Sequence, residues 1–138
     1  MKQLKVFFLS LLLLASGAAQ ARTPVPVIEH QAVPVTAGSG KSLSAEEVCQ
    51  AARSAAVSRN WSISHQKEAG MTAAYSWNGN KHTIMVNITC SPESYSLTYR
   101  DSINMKYRMV EGVPNIHPHY NRFVGELKQA IQNNLQNL

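Results

Sequence analysis

From His82 to Cys90 every second residue from Ile84 on is apolar, and this stretch restricts the fold more than any other. Ile84, Val86, Ile88 and Cys90 face one way, while Thr83, Met85, Asn87 and Thr89 face the other, the period of a half-buried strand. A sheet built around it has one apolar face that must be covered. The chain supplies two covers. Ser44-Ala45-Glu46-Glu47 is a capping box, followed by a stripe of small residues at helical spacing: Val48, Cys49, Ala52, Ala55 and Ala56. Leu43 and Val48 stand at the positions of a hydrophobic staple. Near the C-terminus, Tyr120, Phe123, Val124, Leu127, Ile131 and Leu135 make one apolar helical face, with Pro118 suited to its first turn.

Three further strands surround the first. Trp61, Ile63 and His65 alternate with Ser62, Ser64 and Gln66. Residues 71–77 place Met71, Ala73, Tyr75 and Trp77 on one side, and Asn78-Gly79-Asn80 is a strong hairpin signal because Asn and Gly accept positive φ. Ser91-Pro92-Glu93 turns the chain again, and Tyr95, Leu97 and Tyr99 mark a fourth inner face. Such short connections require antiparallel neighbours. The expected fold is α+β in two layers: an N-terminal helix, a four-stranded antiparallel meander, and a C-terminal helix packed with the first on one sheet face. Residues 102–107 are expected to prolong the fourth strand, and Glu111-Gly112-Val113-Pro114 to form a loop.

The start of the chain reads as an export signal. Lys2 and Lys5 precede an apolar run over residues 6–15, and Ala19-Gln20-Ala21 supplies a small-x-small cleavage site. The run is too short to span a bilayer. The expected product is periplasmic, cleaved after Ala21, with no membrane-spanning segment in the mature chain. Residues 22–42 read as a flexible tether, because Pro24, Pro26 and Pro34 deny ladder hydrogen bonds and Ala37-Gly38-Ser39-Gly40 loosens its end. Residues 43–138 are then a single domain, expected as a monomer. The leader takes two of the 13 basic residues and none of the 8 acidic ones, so the remainder is only mildly basic. Its Lys and Arg are scattered singly, without the stripe that phosphate tracking needs, which speaks against a nucleic-acid partner. An exported chain with two cysteines favours a Cys49–Cys90 disulfide, two reduced core thiols being the alternative.

Three pieces carry a resemblance: Arg59-Asn60-Trp61, Tyr95-Ser96-Leu97-Thr98-Tyr99-Arg100-Asp101-Ser102-Ile103-Asn104-Met105-Lys106-Tyr107, and Ile116-His117-Pro118-His119-Tyr120-Asn121. From the capped helix to the C-terminus the chain resembles a family of small uncharacterised periplasmic proteins and lipoproteins of Gram-negative bacteria. The resemblance implies an α+β fold and an envelope location, and no activity, cofactor or catalytic residue. The chain departs from that pattern in lacking a lipid-attachment cysteine and in carrying Cys49 and Cys90.

The polar residues of the last two pieces form the candidate ligand-binding group: Asp101, Ser102, Asn104, His117, Tyr120 and Asn121. If the fourth strand ends beside the last helix, they converge. An acid, a hydroxyl and an imidazole invite a small hydrolase using His117 with Asp101 or Ser102. Against it, adjacent strand residues point to opposite faces, and no Gly-x-Ser-x-Gly elbow is present. The scaffold alternative has Asp101 or Asn104 bonding helix amides, His117 at the cap position and Asn121 satisfying loop carbonyls. His117 and His119, with scattered methionines, admit weak copper or zinc binding, but His-x-His alone is a slight signal. The aromatic residues offer either a binding platform or core closure. The reading that remains is a non-enzymatic binding module without a cofactor, recognising an envelope protein or peptide through the open sheet face or an edge.

Overall fold

The computed structural model describes residues 22–138. The expected leader and its cut after Ala21 lie outside them. The described residues form an α+β fold with two helices and two antiparallel sheets. In chain order the elements are β1 (Val25–Pro26), β2 (His30–Pro34), α1 (Ala45–Ser58), β3 (Ser62–Lys67), β4 (Gly70–Trp77), β5 (His82–Cys90), β6 (Ser94–Ile103), β7 (Arg108–Val110), β8 (Val113–Ile116) and α2 (His119–Gln136).

The meander is present as β3 to β6, but the sheet holding it has a fifth strand, in the order β2-β6-β5-β4-β3. A second sheet has the order β1-β8-β7. The expected four-stranded meander is therefore incomplete. Both additions to it come from places read as irregular. Residues 22–42 are no tether: β1 pairs with β8 and β2 with β6. Their prolines fit because β1 and β2 are edge strands, where a missing N–H removes no ladder bond. Gly38 is a packing requirement, since a Cβ there would run into the Gln136 carbonyl of α2. The stretch read as loop is the β7–β8 hairpin, turned by Glu111 (φ 50°) and Gly112 (φ 78°). Positive φ at both central residues is the hairpin turn whose twist matches its strands.

The core is the face derived from the alternation. Ile84, Val86, Ile88 and Leu97 are fully buried beneath Val48, Ala52 and Ala56 of α1 and Val124, Leu127 and Ile131 of α2. The capping box forms in full: the Ser44 hydroxyl accepts from the Glu47 amide at 3.1 Å, and the Ser44 amide donates to the Glu47 carboxylate at 3.2 Å. Cys49 and Cys90 are joined in a disulfide, Cα atoms 5.6 Å apart, which ties α1 to the inner face of β5. No helix of the described residues is long and apolar enough to cross a membrane.

One irregularity in β6 positions side chains that matter below. Val86 pairs with Tyr99, but Met85 pairs with Asp101, so Arg100 is an extra residue in the ladder. A bulge of this kind reverses which residues face inward beyond it. Ser102, opposite Ile84, joins the covered face, and Asp101, opposite Met85, joins the open one.

Candidate functional site

The six candidate residues do not form one site. Asp101 is exposed on the open face and accepts from the Ser102 amide at 2.8 Å. The Ser102 hydroxyl lies 2.8 Å from the Tyr99 hydroxyl on the covered face. Asn104, at φ 59°, donates its amide to the Lys81 carbonyl. Tyr120 is fully buried, and among the described residues its hydroxyl has no hydrogen-bond partner. Asn121 clamps the N-terminal segment: it accepts from the Ile28 amide and donates to the Pro26 carbonyl, both at 3.0 Å. Among the described residues no hydrogen bond joins His117 to Asp101 or Ser102.

His117 has different company. It lines a cavity of about 250 Å³ with Trp77, Asn78, His82, Met105 and His119. Four pieces of chain supply these residues. Trp77 and His82 are register partners at the end of the β4–β5 hairpin, and their rings stack at 5.3 Å with 19° between planes. Met105 follows β6 and is almost wholly buried. His117 joins β8 to α2; its amide donates to the Met105 carbonyl at 2.8 Å, which fixes the two segments together. His119 opens α2, its ring 4.4 Å from that of His117. Arg22 is not among the lining residues but approaches one of them, with Nη1 3.5 Å from His119 Nδ1.

The hydrogen bonds settle which ring nitrogens carry protons when the imidazoles are neutral. His117 Nδ1 accepts from the His119 amide at 3.0 Å, so its proton sits on Nε2. Guanidinium only donates, so His119 Nδ1 is likewise the acceptor and Nε2 the donor. His82 is the reverse: Nδ1 faces the Asn104 carbonyl at 3.0 Å and must hold the proton. The bond from His119 to His117 also replaces the cap that Pro118 lacks.

Both His117 and His119 are held below the usual imidazole value. Burial is the main cause in each; His119, Arg22, Lys106 and His82 add to it at His117, and Arg122, Arg22 and His82 at His119. All of these neighbours are basic. Among the described residues no group of three or more His, Cys, Asp or Glu side chains is placed to hold a metal ion.

An aromatic run continues from the cavity along the seam between β4 and α2. Trp77 meets Phe123 at 4.9 Å, Phe123 meets Tyr75 at 5.0 Å, and Tyr75 meets Trp61 at 5.5 Å. Trp61 closes the core, whereas Tyr75, Trp77 and Phe123 are half-buried, so the run passes from the core to the surface. Sequence reasoning missed Trp77, His82 and Met105 as partners of His117. The Asn78-Gly79-Asn80 turn signals that Trp77 and His82 meet, whereas nothing local to Met105 points to His117. Comparison with protein-family models, curated protein sequences and solved structures returns no match to this chain.

Proposed function

We propose that this chain is an exported, non-enzymatic binding module of the bacterial envelope, and that its ligand sits in the cavity bounded by Trp77, His82, His117 and His119. One observation carries the reading: three imidazoles and an indole from separate elements surround one opening, and among the described residues every side-chain hydrogen bond of those imidazoles falls on Nδ1, leaving three Nε2 atoms for a ligand. At about 250 Å³ the space is smaller than a typical drug-sized pocket. It suits a small molecule or the end of a larger one, with the aromatic seam as a continuation.

The hydrolase reading has less support. Asp101 faces away from the covered side, the Ser102 hydroxyl is engaged by Tyr99, and His117 uses Nδ1 on the backbone. Augmentation at a sheet edge is weakened too. β3 and β2, the edges of the larger sheet, carry register breaks with His65 and Ala32 both at φ 50°, and such breaks discourage strand addition.

Native mass spectrometry of the protein exposed to envelope extract tests the proposal. The expected result is a discrete adduct on the wild type and on Asp101→Ala, lost in Trp77→Ala with the circular dichroism spectrum unchanged. An adduct indifferent to Trp77, or no adduct at all, overturns it.

A further inference from the structure

We propose that the cavity is an oxyanion site, taking the carboxylate or phosphate head of a ligand whose apolar body lies along Trp77. This rests on the binding reading above and adds the ligand's charge. His117 and His119 each present an Nε2–H donor in the neutral form, because their Nδ1 atoms are spent as acceptors. A site meant for a cation would present lone pairs at these two positions; only His82 does so when neutral, and its Nε2 becomes a donor to an anion once that ring is protonated. The guanidinium of Arg22 stands beside His119, 3.5 Å from its Nδ1, with a planar donor fork suited to a carboxylate or phosphate.

Among the described residues, the ionisable groups that act on the two imidazoles are all basic. Arg22 comes from the N-terminal segment, His82 from β5, Lys106 from the β6–β7 link and Arg122 from α2, with no acid in the first turn of α2. The β4 side contributes Trp77 and Asn78, which are uncharged. The first amides of α2 are already taken by His117, so the side chains and not the helix end make the site. Without an anion, burial and this basic surround keep both imidazoles neutral below their usual range. A bound anion reverses the balance and favours their charged forms. Binding therefore takes up protons and tightens as pH falls, when each ring gains a charge opposite that of the ligand.

The chain has two tryptophans, so Trp61→Phe leaves Trp77 as the single reporter inside the cavity. Its fluorescence is titrated with benzoate, inorganic phosphate and the neutral benzamide. The expected result is a saturable response to an oxyanion and none to benzamide over the same range. Saturation by benzoate identifies the carboxylate as the head group, and saturation by phosphate the phosphate. Affinity for benzoate, whose own charge is constant over this range, should weaken about tenfold from about pH 5.5 to about pH 7.5, the effect of one imidazole gaining one pKa unit on binding. Arg22→Gln, at an exposed position outside the core, should weaken it about as much at either pH. His119→Gln should flatten the pH dependence.

Equal response to benzoate and benzamide overturns the proposal, as does pH-independent binding of benzoate. An extract adduct that needs Trp77, together with silence towards both anions, leaves the binding reading standing and removes this one. Silence towards the anions with no adduct removes both.

Discussion

Replacing Tyr120 and Asn121, adjacent on α2, has opposite expected consequences. The Tyr120 hydroxyl is buried without a partner among the described residues, a state that costs about 1–3 kcal/mol when no compensation exists. Tyr120→Phe should therefore leave the urea midpoint unchanged or raise it; a clear fall would mean the hydroxyl is satisfied. Asn121 makes two bonds to the segment that carries β1 and β2. Asn121→Ala should lower stability by about 1–3 kcal/mol in the same measurement and speed proteolysis between residues 22 and 42. The role of Asn121 was partly legible, since a residue with both a donor and an acceptor near a helix start is suited to loop backbone. That its loop would be residues 26–28 was not, because nothing local to Asn121 points 93 residues back along the chain. Ser102 shows the complementary failure. Strict alternation in β6 puts Asp101 inward with Tyr99 and Ser102 outward, and the extra residue at Arg100 reverses both.

Elements with near-neighbour causes were read well. The Ser44 capping box, the stripe on α1, the alternation of β5 and the Asn-Gly turn all rest on contacts within a few residues, and each appears as expected. Elements whose cause lies elsewhere in the chain were read badly. β1 and β2 are short and proline-bearing, and become strands only because β8 and β6 offer them an edge. Between these classes stands the disulfide: the pairing followed from compartment and count, and its place followed from both cysteines lying on core-facing stripes. It spans 41 residues and joins α1 to β5. Reduction should cost about 4 kcal/mol in the chain-entropy model, read as the loss of guanidinium midpoint with and without reductant. Identical midpoints would show that the covered core holds α1 in place unaided.

For the whole molecule, three histidines tie stability to pH in one direction. His30, His117 and His119 are all held below the ordinary imidazole value, by burial first in each case. The unfolded chain therefore binds more protons than the folded one as pH drops through the range below 6.5. Stability should be complete above that value and decline as pH falls towards the lowered values of the folded state. Urea midpoints near neutral and mildly acid pH test this, and His119→Gln should narrow the gap between them. Unchanged midpoints would mean the rings reach water freely. By itself the sequence determined what short range decides: the helical and strand periods, the caps and turns, the apolar face and thus the α+β class. Only the tertiary structure decided the N-terminal strands, the bulge in β6 and the company of His117. Those depend on groups as distant as Arg22 and His119, 97 residues apart. Such meetings come from global packing and leave no periodic mark in the chain.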